Sequence, residues 1–320
     1  VFGFLLIDKP AGITSRQVVV RVEQRLLEMI GPTTVGHCGT LDPLATGLMV
    51  LAIGPATSLT PWFLSGNKRY EATFQLGVTS ESLDLETPVQ PVESGETPEL
   101  ETVQQTCGQF IGRRQQVPPK YSAIRVQGKR AYELARRGAD FELAPREITI
   151  HDLHVIKYAW PWVQVSVHCS GGTYIRTLGD DLAREWGTRA VMTELRRTGA
   201  SGFSLSDAWS WESVATESAW ATSLINIATA LRDMTQVTTD LEMAKRFRNG
   251  LIGRALDAQL EALYQGPGIS SRDDQRSKEA LVLLPDGRPV GIAHRRSKPG
   301  HEDAWRIKLN LAQWLEPDLV

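Results

Sequence analysis

The chain has 320 residues, 42% hydrophobic and 22% charged, which is the composition of a folded chain of about two domains and not of a disordered one. Its 35 Lys and Arg against 37 Asp and Glu give a net charge of −2, which excludes a globally basic nucleic-acid binder and leaves room for a locally basic one. The longest clean apolar run, Leu48–Ile53, is far short of the ~18 residues of a membrane span.

The amino end, Val1 to Lys9, lacks a basic start and a small-residue cleavage site, so no signal peptide is expected there. It reads as a buried strand ending at Asp8. Thr14-Ser15 can cap a helix whose apolar positions are Val19, Val22, Leu26 and Met29, stopped by Gly31-Pro32. A glycine-punctuated loop, Gly36–Gly47, follows. Tyr70–Val78 alternates apolar and polar residues and predicts a half-buried strand with Tyr70 on the inner face. Residues 81–101 carry Glu81, Asp84, Glu86, Glu93, Glu96, Glu99 and Glu101 with no Lys or Arg, and read as a solvated loop. Thr97-Pro98 then opens a helix with Leu100, Val103, Cys107 and Phe110 on one face.

Charge reverses over residues 113–137. Arg113, Arg114, Lys120, Arg125, Lys129, Arg130, Arg136 and Arg137 face only Glu133, with Tyr121 and Tyr132 among them. Val163, Val165, Val167 and Cys169 alternate as a strand. Gly171-Gly172 turns it into a helix with Ile175, Leu178, Leu182 and Trp186 inward. The periodicity weakens after Ala208. A helix over Leu241–Asn249 and a hairpin, Ala280–Leu284 and Pro289–Ala293 around Asp286-Gly287, then predict a small β-rich unit.

Three constellations could carry chemistry. In Gly36-His37-Cys38-Gly39-Thr40-Leu41-Asp42-Pro43-Leu44-Ala45-Thr46-Gly47, glycines allow positive φ and Pro43 fixes its own backbone. Such a loop can hold the Asp42 carboxylate at one geometry; an ordinary Asp-Pro turn is the alternative. Arg176, beside a strand-to-helix junction, opposes the helix dipole and calls for an anionic partner, unless it is simply exposed. The neighbouring Asp180-Asp181 reads as a solvated pair. The basic stretch could grip phosphates while its tyrosines stack on bases, or it could be a merely soluble face. His151-x-x-His154 lacks the further ligands of a metal site. Three widely spaced cysteines, Cys38, Cys107 and Cys169, argue against a disulfide framework and for the cytosol.

At these residues the sequence resembles the TruB family of bacterial tRNA pseudouridine-55 synthases. The resemblance spans roughly residues 3–208 in five ordered blocks: Gly3–Ser15, Gly36–Gly47, Lys68–Ala72, Gln116–Tyr132 and Gly172–Leu178. A tail, Leu195-Arg196-Arg197-Thr198 with Gly202-Phe203, also fits. The resemblance implies an isomerase that cuts the N1–C1′ bond of a T-loop uridine, turns the uracil and rejoins it through C5. Asp42 would be the catalytic carboxylate, attacking sugar or base or abstracting a sugar proton, and Arg176 would be its ion-pair partner, lowering its pKa. Tyr70 would lie against the uracil and help the late C5 proton transfer. Tyr174, Leu195 and Lys9 would line or support the pocket, and His37 would fill the space left by the flipped nucleotide. Arg113, Arg114 and Lys120 of the basic stretch would grip the T arm. No cofactor or metal is called for. One departure stands out: Thr87 occupies the place of a glycine in the family's Thr-x-Thr-x-Asp-x-x-Gly pattern, which Ser80, Ser82 and Asp84 otherwise follow loosely.

The expected architecture is an α/β (α+β) pseudouridine synthase fold with a large mixed, mainly antiparallel sheet. The catalytic domain would occupy 1–235, with a T-arm-binding insert at about 81–155, and a PUA-like unit would occupy 236–320. The expected partner is tRNA, with no membrane, no obligate protein partner, a monomeric state and a cytoplasmic location. Two rival readings are a guide-RNA-dependent relative and a tRNA-binding folding chaperone. A glycosidase fits less well, since Asp42 has no obvious acidic partner in these blocks.

Overall fold

A computed structural model describes residues 2–93, 95–126, 128–216, 219–265, 278–296 and 304–312. The chain divides into two compact units, one of Leu6–Leu51 and Thr60–Trp220, the other of Val1–Leu5, Ala52–Leu59 and Ala221 onward. The second unit thus begins before the expected 236, because the short Ile227–Ala230 helix and its flanks belong with it.

A ten-stranded mixed sheet runs in the order Trp209–Ser210, Gly3–Lys9, Thr46–Ile53, Ala190–Ala200, Lys68–Leu76, Trp162–Cys169, Arg146–Ala159, Gly112–Gln116. Two short strands, Val35–His37 and Phe203–Ser204, pair off this path. From Ala190–Ala200 outward to Gly112–Gln116 every pairing is antiparallel, whereas Ala190–Ala200 meets Thr46–Ile53 in parallel. The alternation from Tyr70 onward sends Tyr70, Ala72, Phe74 and Leu76 to one face. There they pack with Ile175, Leu178 and Leu182 of the helix Ile175–Glu185. Phe74 is 1% exposed, and truncating such a ring typically costs about 3–5 kcal/mol.

The helix Ser15–Ile30 starts at a capping box, in which the Thr14 side chain accepts from the Gln17 N–H and Gln17 reaches back to Thr14. Two local expectations are corrected. The helix opened by Thr97-Pro98 begins later, as Leu100–Gln109; Leu100 is exposed, while Val103, Cys107 and Phe110 are buried. Asp180 is buried, not solvated: its carboxylate accepts from Arg189 Nε at 2.6 Å and from Arg184 Nε at 3.0 Å, tying the helix to the following strand.

In the second unit, Glu279–Leu283, Pro289–Arg296 and Ala304–Asn310 form an antiparallel sheet joined by Thr235–Thr238 in parallel. Phe247, Leu256 and Leu260 from the helices Leu241–Arg248 and Arg254–Gln265 pack with Val282, Val290 and Trp305 of this sheet. The polar stretch 267–278 lies almost wholly outside the described residues. No described helix is long and apolar enough to cross a membrane.

Candidate active site

The loop that carries Asp42 is fixed on both sides of that residue. Ser15, at the start of the first helix, donates through Oγ to the Leu41 carbonyl at 2.9 Å and accepts from the Leu41 N–H at 2.8 Å. Lys9 has no exposed surface. Its ammonium donates to the carbonyls of Pro10 (2.9 Å), Ile13 (2.8 Å) and Pro43 (3.4 Å). The Gly12 N–H reaches the same Pro43 carbonyl at 2.8 Å, and the Ala45 N–H closes a turn onto the Asp42 carbonyl at 3.0 Å. Asp42 is therefore presented by a backbone with little freedom, as a group that must act at one geometry requires.

Arg176 lies in the first helical turn and is 5% exposed. A buried guanidinium against the helix dipole needs compensation, and it has four acceptors. Nε meets Asp42 Oδ2 at 3.2 Å and Nη1 meets Asp84 Oδ2 at 3.3 Å. Nη1 also donates to the Ser82 carbonyl and Nη2 to the Tyr121 carbonyl, each at 2.9 Å. One cation thus joins the Asp42 loop, the acidic loop and the basic stretch.

Asp84 is an exception to the reading of residues 81–101 as a solvated loop. It is 1% exposed, and its Oδ1 accepts from the Glu86 N–H at 2.9 Å. Hydroxyls do the folding. Ser80 Oγ and Ser82 Oγ donate to the Asp84 carbonyl, and Ser82 and Thr87 exchange backbone-to-hydroxyl bonds of 3.0 and 3.2 Å. Thr87, the residue in the family's glycine place, supplies one of these hydroxyls. The loop docks on the sheet through the Met192 N–H and the Leu83 carbonyl at 3.0 Å. Asp84 is also the second carboxylate that the sequence blocks do not show for Asp42, with Arg176 lying between the two.

The charges explain the protonation states. Burial pushes the Asp42 carboxyl above the usual carboxylate range; Arg176 opposes this, Asp84 and Glu86 add to it, and Lys9 opposes it. Arg176 lowers the value as expected, but desolvation is the larger effect and the net direction is upward. The Asp42 side chain stays 34% exposed, so water and substrate can reach it. Burial lowers Lys9 to about 8 against the attraction of Asp42. His37 is lowered by burial and by Arg197 and Arg16, which keeps it neutral near pH 7. The Cys38 thiol is pushed up to about 12 by burial, which makes it unreactive.

Tyr70 and Leu195 belong with Leu41, Ala45 and Ile175 to one buried cluster beneath the loop. Tyr174 caps the helix, its N–H and carbonyl both held by the Gln116 amide at 2.8 and 3.0 Å, with the Arg146 guanidinium 4.4 Å from its ring centre. His37 lies on the Val35–His37 strand with a buried Nδ1 that has no hydrogen-bond partner among the described residues. In the basic stretch Arg113 is exposed, whereas Arg114 folds back over Phe110 at 3.8 Å and donates to the Gln109 carbonyl. Lys120 pairs with Asp140 at 3.3 Å. Arg125, Lys129, Arg130 and Arg137 are exposed, the first three on the Arg125–Val126/Lys129–Arg130 hairpin. None of these four has a carboxylate partner among the described residues. The His151 and His168 rings lie 4.8 Å apart, yet no described cluster of His, Cys, Asp or Glu is arranged to hold a metal ion.

The fold matches solved Cbf5 structures. A Cbf5-Nop10-Gar1 complex gives a TM-score of 0.67 at 21% identity, covering 97% of this chain and 84% of that one. An archaeal box H/ACA sRNP Nop10-Cbf5 complex gives 0.65 at 18%, covering 96% and 85%. The class of protein, a pseudouridine synthase, is shown by the family models and relatives that match its sequence. The description "TruB family pseudouridylate synthase (N terminal domain)" fits residues 27–175, and "tRNA pseudouridylate synthase B C-terminal domain" fits residues 176–238. Two relatives are both called tRNA pseudouridine synthase B. That of Syntrophobacter fumaroxidans is 36% identical, over 95% of this chain and 97% of its own length. That of Rhodopirellula baltica is 47% identical, over 64% of this chain and 60% of its own length. The chain belongs to the TruB family of pseudouridylate synthases.

Proposed function

We propose that this chain isomerises uridine 55 in the T loop of tRNA to pseudouridine. The observation that carries the reading is the Asp42–Arg176 pair, set at 3.2 Å on a loop locked by Lys9 and Ser15. Asp42 is the catalytic carboxylate, ionised to act, and Arg176 orients it and holds its charge. The flipped uracil lies against Tyr70 and Leu195, whose buried surfaces suit an unstacked base. Tyr70 assists removal of the C5 proton after the ring has turned. Tyr174 and Lys9 support the pocket, and neutral His37 fills the gap in the loop. Arg113, Arg114 and Lys120 contact the T arm, along with the unpaired cations of the Arg125–Arg130 hairpin. The region 81–155 acts as the T-arm-binding insert of a catalytic domain, and the C-terminal sheet is a PUA-like unit. The protein works in the cytoplasm as a monomer, without a guide RNA, protein partner, metal or cofactor.

The test is incubation with an unmodified tRNA transcript alone, followed by mapping of pseudouridine through chemical adducts and primer-extension stops. One stop at the T-loop uridine, absent with Asp42→Asn, is expected. Tight tRNA binding without any stop would overturn the reading in favour of a chaperone or a guided enzyme.

A further inference from the structure

Arg146 opens the Arg146–Ala159 strand and is only partly exposed. None of its five N–H donors has a hydrogen-bond or carboxylate partner among the described residues, and its Nε is shut off from solvent as well. The other arginines around the site are engaged. Arg114 donates to the Gln109 carbonyl, Arg176 holds Asp42 and Asp84, and Arg189 holds Asp180. Arg196 pairs with Asp8 at 2.7 Å, and the buried Arg197 donates to the Leu48 and Gly39 carbonyls at 2.7 and 3.1 Å. Arg113, Arg125, Arg130 and Arg137 are exposed, so water serves them. A half-buried guanidinium with nothing to bond is costly and calls for a ligand.

Three neighbours hold the group in place. In the sheet Arg146 stands opposite Gln116, whose amide binds both the N–H and the carbonyl of Tyr174. The guanidinium carbon lies 4.4 Å from the centre of the Tyr174 ring, which suits a cation over an aromatic face. Gly172, at φ +86°, approaches from the loop: a Cβ on it would lie between 3.6 and 3.7 Å from Cζ and both Nη atoms. Near-equal distances to the three atoms put that contact on the flat of the group, which leaves the in-plane donors of its edge for a ligand. Tyr174 is followed by Ile175, of the cluster that holds Tyr70 and Leu195, and by Arg176, which holds Asp42. A ligand on Arg146 therefore sits next to the proposed base pocket. The next cation on the same face of these two strands is Arg114, and it is folded onto Phe110 at 3.8 Å.

We propose that Arg146 is a substrate-binding residue: from its seat on the Tyr174 ring, its planar edge takes a phosphate of the T-loop backbone beside the flipped uridine. Flipping swings a nucleotide about its own backbone, so the flanking phosphates stay at the mouth of the pocket. A guanidinium meets two phosphate oxygens at once, and the contact fixes the backbone while the freed uracil turns. This rests on the functional reading given above. A mere support for the Tyr174 ring would leave the salt dependence of RNA binding untouched.

The experiment measures the affinity of the full chain for a T-arm hairpin RNA over a range of salt, with Arg146 intact and with Arg146→Gln. Both proteins carry Asp42→Asn, so that binding is read without turnover. Further hairpins carry one uncharged methylphosphonate linkage, placed in turn on either side of the target uridine. Arg146→Gln is expected to weaken binding of the native hairpin about 10-fold or more, as for one hydrogen bond to a charged group. It should also lower the slope of log affinity against log salt by about 0.7–0.9, the share of one phosphate. One of the two neutral linkages should cost the Arg146 protein about as much affinity, and cost Arg146→Gln under about twofold. Arg146→Lys keeps the charge and should restore the slope. If Arg146→Gln does not fold, Arg146→Met, whose stem still covers the Tyr174 ring, takes its place. An unchanged salt slope overturns the proposal, as do neutral linkages that cost both proteins equally. A chain that binds the hairpin but, with Asp42 restored, forms no pseudouridine sinks the functional reading alone, since the affinity comparison still decides whether Arg146 meets that phosphate.

Discussion

Replacing Asp84 by asparagine should lower the plateau rate and also move the acid limb of the pH–rate profile to lower pH. Asp84 is 1% exposed and holds Arg176 Nη1 at 3.3 Å, while Arg176 Nε holds Asp42 at 3.2 Å. Asparagine preserves the shape of the loop and can still accept from the Glu86 N–H, but it takes the charge out of the Arg176 contact. A hydrogen bond to a charged group contributes about 1.5–3 kcal/mol. Lost from the orientation of Arg176, that is about a 10- to 150-fold fall in the plateau rate, at about 1.36 kcal/mol per tenfold. Asp84 also raises the Asp42 pKa by like-charge repulsion. Its removal therefore lets Asp42 ionise more easily, and the acid limb of the pH–rate profile should shift to lower pH. The assay is single-turnover pseudouridine formation in saturating enzyme from about pH 5 to 9. A plateau within threefold of wild type, or an acid limb moving upward, would refute the two-carboxylate account of Arg176.

Four further outcomes follow from the structure. Asp42 has a raised pKa in the fold, so its stabilising contribution is complete below the unfolded value of about 3.9 and is lost as pH rises through the folded value. Ionised Asp42 is thus a cost near pH 7, and Asp42→Asn should melt at or above the wild-type temperature; a clearly lower melting point would count against this. Lys9, lowered to about 8, should lose its proton and its grip on Pro43 on the alkaline side, giving a falling limb near that pH. Lys9→Met should be slow at all pH values and lack that limb, and a persisting limb would assign it elsewhere. Replacing Arg125, Lys129 and Arg130 together with glutamine should flatten the slope of log affinity for tRNA against log salt by about two units if all three meet phosphates. Arg114→Gln, already folded onto Phe110, should change the slope less than Arg113→Gln; the reverse order would show that Arg114 swings out to the RNA.

Parts of this site are legible in the amino-acid sequence because local rules enforce them. The capping Thr14-Ser15 follows the ordinary N-cap preference, the glycines flanking Asp42 and the first-turn Arg176 break ordinary ones, and all of them lie at the site. Alternation alone places Tyr70 inward. Asp84 is hidden for the opposite reason. It sits among seven carboxylates with prolines and no bases, the composition of a solvated loop, and its burial depends on Ser80, Ser82 and Thr87 satisfying the backbone from within. The signal that could reveal it is the spacing of small hydroxyl residues at 80 and 82 ahead of Asp84. Arg197 is masked by Arg196: two adjacent arginines look alike in composition, and only the two-residue period of the Ala190–Ala200 strand, with Leu195 and Arg197 on one face, separates the buried one from the half-exposed one. The sign of the Asp42 shift needs the depth of its burial, which no sequence spacing records.

The proposed isomerisation is carried by Asp42, held by Arg176. Forming the C–C glycosidic bond replaces the hydrogen at C5 of the uracil, so a tRNA transcript made with [5-³H]uridine releases tritium to water only where the reaction occurs. Under single turnover with excess enzyme, the wild-type chain should release one equivalent per tRNA, Asp42→Asn none, and Arg176→Lys the full amount far more slowly. Tritium release by Asp42→Asn at a rate near wild type would contradict the account.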